Sequence, residues 1–395
     1  MNLRPAFFTH VRFAAVAMAA ALLACQGAAQ AQSPASAAPP MAAAAAPRVL
    51  LVVSSEGRHD ASGKPVRPGF EMDEFALAWL VMRANGLQVD VASPTGGAVL
   101  ADNYKAEDDH IQAMKADTRA AAALAATRRT QDVQPGEHAA IFIVGGKGAM
   151  FDLPRDAALA RLLGAHHAQG GVLAAVCHGP AALVEVKRPD GQPLMAGRRM
   201  TGFTDEEESA FGKRWAAEYP FWLEKRMREQ GAQWEEAPLM MPKLVVDDRL
   251  ITGQNPFSTT LAAEAVVRAL GRTPVARTVL REEASMQVVQ WWLAGEQAAA
   301  RALLAADATR YKTDLIAMLG FYQHGAASDE AARRQAISVM ELAAPHFDNR
   351  RFRFELAQAQ ARQGNKVRAR ELLQLVLAAK PDDAEAIKAL AGLSG

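Results

Sequence analysis

The sequence predicts an α/β domain built on a parallel sheet, followed by an all-helical region. Three observations carry this. Between residues 48 and 272, short and fully apolar runs alternate with helical periods, the pattern of strands buried on both faces and joined by helices. Beyond residue 273 the strand pattern stops and amphipathic helical segments continue to the C-terminus. The chain has 395 residues, more than one core ordinarily holds at about 150 residues per domain.

The elements follow in order. Residues 49–53 are a continuous apolar run, hence a buried strand, and 75–85 carry helical spacing closed by Gly86. A strand at 87–92 follows. Residues 139–144 form the next buried strand and run into Gly145-Gly146-Lys147-Gly148; after a helix at 157–168, residues 171–176 form another. Runs at 244–246 and 250–252, separated by Asp247-Asp248-Arg249, predict a hairpin, and 258–270 a helix closed by Gly271. The α/β domain is therefore expected over 48–272 and the helical domain over 285–395.

Composition narrows the function. Lys plus Arg number 44 against 43 Asp plus Glu, so no broad basic field points to a nucleic acid partner. Cys25 and Cys177 are the two cysteines, too few for a thiolate zinc site or a disulfide framework. Arg4 and Arg12 precede an uncharged apolar run at 13–24, shorter than a spanning helix and shaped like the core of an export signal, which sends the chain to the periplasm. Two maturation schemes compete. Ala29-Gln30-Ala31 is a small-x-small cleavage site that makes 1–31 a signal peptide; Leu22-Leu23-Ala24-Cys25 resembles a lipobox, which would give Cys25 a lipid anchor. Residues 32–47 read as an Ala/Pro-rich linker, and Cys177 is left without an intramolecular thiol partner.

Cys177 sits where a buried strand hands over to a helix, in Val176-Cys177-His178-Gly179-Pro180. That is the geometry of a nucleophile elbow. Gly179 tolerates a tight turn and Pro180 suits a first helical position, so a helix N-terminus is expected to favour the thiolate and depress the pKa. The alternative is a buried structural cysteine beside an ordinary turn histidine.

Four motifs in order add a resemblance. Ala175-Val176-Cys177-His178-Gly179-Pro180, Gly145-Gly146-x-Gly148 with Ala149-Met150-Phe151-Asp152, Thr201-Gly202-Phe203-Thr204 with Glu206-Glu207-Glu208, and Ile251-Thr252-Gly253-Gln254-Asn255-Pro256 resemble the ThiJ/PfpI superfamily. Within it the chain is most similar to the branch of glutathione-independent glyoxalases and heat-shock chaperones. The resemblance covers about residues 48–272. It implies a class I glutamine amidotransferase-like fold, a flavodoxin-like doubly wound sheet, and a Cys-His pair completed by a carboxylate at Glu208, with Glu207 as fallback. It also implies a second carboxylate at Glu74, early in the first helix, with Glu71 and Asp73 as fallbacks.

In these roles Glu208 orients the imidazole of His178, Glu74 carries protons at the sulfur, and the amides of Gly146 and His178 form an oxyanion hole. The implied reaction takes a small 2-oxoaldehyde to a hydroxy acid through a Cys177 hemithioacetal, with no metal, nucleotide or other cofactor. The rivals are a stress chaperone or binding module with a vestigial triad, and an amidase or peptidase using the same elbow. Lys147 departs from the His usual after the paired glycines, and is expected near the pocket mouth as an attractor of anionic ligands.

At the C-terminus, Leu356-Ala357, Gly364, Ala369, Leu373 and Pro381 fall at the spacings of a tetratricopeptide repeat. A degenerate copy runs through Leu319-Gly320, Ala332, Ala336 and Pro345, and residues 290–304 are a remnant of another. Two uses compete, a groove for a protein or peptide partner and a structural or homodimerising appendage.

Overall fold

The computed structural model describes residues 46–102 and 104–393. The leader at 1–31, Cys25 with its two expected fates, and the linker up to residue 45 lie outside the described residues.

Seven strands form one sheet: β1 Arg48–Val52, β4 Gln88–Ser93, β5 Arg128–Arg129, β6 Ala140–Ile143, β7 Val172–Val176, β10 Leu244–Asp247 and β11 Leu250–Gly253. Two short ribbons accompany it, β2 Arg58–His59 with β3 Pro65–Arg67, and β8 Arg199–Met200 with β9 Gln233–Trp234. The sheet order is β10-β11-β7-β6-β1-β4-β5, parallel except for the antiparallel edge strand β10. The expected hairpin is thus present, and β11 also joins the parallel sheet through β7.

Helices α1 Met72–Ala84 and α8 Thr259–Ala269 cover one face, and α4 Ala157–Ala168 the other. Alternating side chains of each central strand feed two cores. Leu50, Ile141, Leu173 and Cys177 join Leu159 and Leu163 of α4, while Leu51, Phe142 and Ala174 join Phe75 and Trp79 of α1. With both faces covered, these strands must be apolar throughout, which is why they read as unbroken runs. Among the helices with no counterpart in the sequence reading are α2 Asp109–Ala116 and α3 Thr118–Ala125. The alanine-rich composition of α3 offers little contrast between its faces.

Register determines what stands at the carboxyl edge. Val52 pairs with Ile143, Ile143 with Ala175, and Val176 with Gly253. The residues that follow, Gly145-Gly146, Cys177-His178 and Gln254-Asn255, therefore leave the sheet side by side, where open α/β sheets bind ligands.

One expectation at this edge is corrected. Cys177 leads into a five-residue 3-10 helix, Gly179–Leu183, in place of an α-helix. Gly179 packs so closely on β6 that an added Cβ would meet the Ile143 carbonyl oxygen at 2.5 Å, and the turn is wholly buried. So short a helix contributes little dipole at the sulfur.

Three more helices, α5 Asp205–Phe211, α6 Lys213–Ala216 and α7 Leu223–Glu229, lie between β8 and β9. After α8 the described chain is entirely helical. Helices α9 Arg281–Leu293 and α10 Gln297–Ala306, α11 Thr313–Ala326 and α12 Glu330–Ala343, and α13 Arg350–Arg362 and α14 Lys366–Ala379 pack in consecutive pairs, with α15 Ala384–Gly392 against α14. Where α11 crosses α12, a Cβ on Gly320 would lie 2.8 Å from the Met340 nitrogen and 3.0 Å from the Ala336 oxygen, so only glycine allows the approach. These helices share a third core with Leu239, Met240 and Met241, which precede β10.

Removing the chain after Arg272 should leave the sheet intact, since all seven strands precede it, but uncover Leu239, Met240 and Met241. We expect a fragment with α/β circular dichroism and raised hydrophobic-dye binding. Loss of a cooperative unfolding transition would instead make the helices part of the same folding unit.

Candidate active site

Cys177 has φ of +56°, a left-handed conformation rarely held by residues other than glycine. Three contacts hold it. Its N–H donates to the Gly253 carbonyl at 2.9 Å, its carbonyl accepts from the Phe203 N–H at 2.8 Å, and Gly145 lies so close that a Cβ there would be 2.8 Å from both the Cys177 Cβ and the His178 nitrogen. The elbow is therefore imposed by the two neighbouring loops as well as by its own sequence.

Around the sulfur the side chains converge. His178 Nδ1 lies 3.4 Å from Cys177 Sγ, and His178 Nε2 lies 2.7 Å from Glu208 Oε2. A carboxylate only accepts, so this bond puts the imidazole proton on Nε2 and leaves the Nδ1 lone pair facing the thiol. All three residues are buried, Cys177 and Glu208 each with 4% exposure. Phe203 tilts over the imidazole with ring centroids 4.4 Å apart, and Tyr219 meets it edge-on at 5.9 Å. These rings exclude water from the His-Glu bond and fix the imidazole plane.

Glu74 approaches from α1. Its Oε2 accepts from the Gly145 N–H at 2.6 Å, and its carboxyl is within hydrogen-bonding reach of the Cys177 sulfur. Burial, then the neighbouring Glu71, pushes the Glu74 carboxyl well above the usual carboxylate range. The expectation of a depressed thiol is overturned. Burial, with the carboxyls of Glu74 and Glu71, pushes Cys177 upward as well, and the Gly146 N–H is the opposing influence. Both shifts run the same way, toward the protonated forms of Glu74 and Cys177.

The oxyanion donors come from two loops. Gly146, at φ +93°, aims its N–H at the sulfur, and the His178 N–H has no protein acceptor among the described residues. A Cβ on Gly146 would collide with the Glu71 backbone nitrogen, so this residue must be glycine on two counts.

The structure thus brings together Cys177, His178, Glu208, Glu74 and Gly146. Of the fallbacks, Glu71 lines the same cavity, and desolvation followed by repulsion from Asp73 lifts its carboxyl to about 7. Asp73 faces outward and binds His110 Nε2 at 2.6 Å. Glu207 is a buried hub, accepting from Thr204 N–H at 3.2 Å, Met240 N–H at 3.1 Å and Asn255 Nδ2 at 2.8 Å. With Thr204 it forms the capping box that starts α5 and turns Glu208, the next residue, toward His178.

Lys147 does line the cavity, but Glu71 and Asp102 flank it closely enough for its ammonium to favour their ionised forms. Phe203 stood in the Thr201-Gly202-Phe203-Thr204 motif without a role assigned to it, and Tyr219 and Asp102 had no sequence signal of their own. The Thr204-x-x-Glu207 spacing was a capping-box signal for Glu207.

The catalytic cavity measures about 220 Å³ and is walled by Gly146, Cys177, His178, Phe203 and Phe257 among others. Asp73, Asp108 and His110 bring three potential metal-ligand atoms together at the edge of an adjoining cleft. His110 already bonds Asp73, and the Lys312 ammonium bonds Asp108 at 3.0 Å, so the group is balanced by its own pairs.

A parallel α/β sheet with a buried Cys-His-Glu constellation on a strained turn at its carboxyl edge defines a cysteine-dependent α/β enzyme class. Comparison with known proteins agrees with that class. The DJ-1/PfpI family profile matches residues 65–269, and the chain belongs to the DJ-1/PfpI family. The chain is 31% identical over 234 residues to the glutathione-independent glyoxalase hsp3101 of Schizosaccharomyces pombe, covering 56% of this chain and 95% of that protein. It is also 31% identical over 236 residues to glyoxalase 3 of Candida albicans, covering 56% and 98%. Among solved structures, the rapid encystment protein of Francisella tularensis aligns at 30% identity with a TM-score of 0.52, covering 57% of this chain and 99% of that one.

Two measurements probe the buried acids. Burial lifts the Glu207 carboxyl from 4.5 to about 7. A folded-state pKa above the unfolded value means that native protein holds the proton more tightly. This contribution is therefore complete below about pH 4.5 and lost as pH rises through 7. Urea midpoints should fall from pH 5 to 8, and the fall should shrink in Glu207→Gln. Infrared difference spectra of wild type against Glu74→Gln at pH 7 should show a protonated-carboxyl band, and absence of that band would mean Glu74 is ionised.

Proposed function

We propose that this glyoxalase-like enzyme converts small 2-oxoaldehydes of the methylglyoxal type to 2-hydroxy acids without glutathione. The observation that carries the reading is the line Glu208, His178, Cys177, with Glu74 buried beside it, at a cavity suited to a small aldehyde. In this mechanism His178 Nδ1 takes the thiol proton as sulfur adds to the aldehyde carbon, and the resulting oxyanion is held by the Gly146 and His178 amides. Glu74 gives its proton to the oxyanion, forming the hemithioacetal. Its carboxylate then removes the hydrogen on that carbon while the His178 imidazolium protonates the ketone oxygen, giving an enediol; Glu74 returns the proton to the adjacent carbon and takes the remaining hydroxyl proton, which leaves a thioester and a neutral His178. Water, deprotonated by His178, hydrolyses the thioester, releasing the hydroxy acid and restoring the thiol. The net change is addition of one water to the oxoaldehyde.

The upward shift of the Glu74 carboxyl suits this sequence, since a carboxyl that keeps its proton can give it to the oxyanion. Once it has given up that proton, the buried carboxylate is a correspondingly strong base toward the carbon-bound hydrogen. The reading further includes export to the periplasm, supported by Arg4, Arg12 and the apolar run at 13–24.

Methylglyoxal consumption by the purified protein should drop by at least about 10³-fold in Cys177→Ala. In Glu208→Gln, which keeps the shape but removes the charge that fixes the tautomer, kcat should fall roughly 10³- to 10⁴-fold. Retained aldehyde turnover in Cys177→Ala would remove the sulfur from the mechanism. Hydrolysis of amides by wild type, with no aldehyde turnover, would favour an amidase.

A further inference from the structure

The catalytic cavity does not end at its own walls. Glu71, Pro256 and Phe257 line both it and a second cleft, of about 590 Å³, that runs between the α/β domain and the helices. The far side of that cleft is supplied by Leu280, just before α9, and by Leu315 and Met318 of α11, facing Leu77 of α1. The relatives described above align with only 56% of this chain, and the α/β domain is the part that the family profile matches. The helical wall is thus a feature of this chain's own C-terminal region.

Volume and charge constrain what the cleft takes. A three-carbon oxoaldehyde needs only part of the 220 Å³ around Cys177, whereas pockets for drug-sized molecules span roughly 300–1,000 Å³. Most charged groups of the cleft are held in pairs, Asp73 with His110, Lys312 shared between Asp108 and Glu282, and Glu283 with Arg277, and with Glu71 the small remaining excess is acidic, which disfavours an anionic chain. Lys105 and Asp314 add one charge of each sign. What is left to contact a ligand is mainly hydrocarbon, and Met318 is 47% exposed on the helical wall.

Resting on the glyoxalase reading of the Cys177 site, we infer that the substrate is a 2-oxoaldehyde bearing an uncharged apolar chain. Its aldehyde carbon sits at Cys177 and its chain passes over Pro256 and Phe257 into the cleft between α1 and α11. Selectivity for chain length then belongs to the helical region, although the chemistry belongs wholly to the α/β domain.

The test is a homologous series of alkylglyoxals, from methyl to hexyl, assayed with the full-length protein. Each methylene that enters the cleft should raise kcat/KM roughly fourfold, the factor corresponding to about 0.8 kcal/mol per buried CH₂. Met318→Trp, which fills the cleft from the helical side, should cut the hexyl-to-methyl ratio of kcat/KM by about tenfold or more. In parallel, calorimetric Kd values for the matching 2-hydroxyalkanoates on Cys177→Ser should tighten with chain length, and cease to do so when Met318→Trp is added. Turnover of methylglyoxal with a flat chain-length series would overturn the cleft inference and leave the glyoxalase reading standing. So would a steep series that Met318→Trp does not change. If no aldehyde is consumed yet the hydroxyalkanoates bind tighter with length through Met318, the cleft assignment holds and the glyoxalase reading falls. Neither turnover nor length-dependent binding would overturn both.

Discussion

The left-handed backbone at Cys177 is the constraint around which the rest of the site is arranged. A non-glycine residue persists at φ +56° only when its surroundings impose it. Here β11 takes its N–H, the Phe203 loop donates to its carbonyl, and β6 presses Gly145 against its Cβ. Those contacts need the register that levels β6, β7 and β11 at one edge. Once the turn is held, Cys177 lines the cavity, His178 reaches Glu208 of α5, and Gly146 of the neighbouring loop lines the same space. A shift of β6 or β11 by one residue would remove these partners together.

The second theme is buried acidity. Glu74, Glu207 and Glu208 are all withdrawn from water, and each is retained by specific donors: Gly145, then Thr204 with Met240 and Asn255, then His178. Burial of a carboxyl is costly unless it is hydrogen-bonded, so these groups tie the loops to one another. Glu207 extends the tie beyond the α/β domain. The Met240 whose N–H it accepts has its side chain in the core shared with the C-terminal helices, and Phe211 at the end of α5 packs on Tyr322 of α11 with ring centroids 4.8 Å apart. The helices thereby buttress the element that carries Glu208, besides walling the cleft.

How much could be read beforehand follows from the range of each interaction. Strands β1, β6 and β7 were legible because burial on both faces leaves an unbroken apolar run, and the Cys177 turn because strand, Cys-His-Gly and Pro are contiguous. Glu74 and Glu208 were reachable only through the family resemblance, since in isolation each is an acid near a helix start. The roles of Phe203, quoted only as part of a motif, and of Tyr219 were not legible, because they depend on which ring meets His178 across 25 and 41 residues of chain. The thiol was misjudged for a physical reason. A local reading counted the dipole of a following helix, whereas the fold supplies a five-residue 3-10 turn, deep burial and two carboxyls from α1.

The sequence by itself determined the parallel sheet, the succession from α/β domain to helices, and the elbow that presents Cys177 beside His178, because each of these is written in contiguous residues and their periodicity. Only the tertiary structure decided the protonation of the site, the hub at Glu207 and the cleft that continues the catalytic cavity. Those depend on desolvation and on the distances between elements far apart in the chain, and neither quantity exists until α1, α5 and α11 have packed around the carboxyl edge of the sheet.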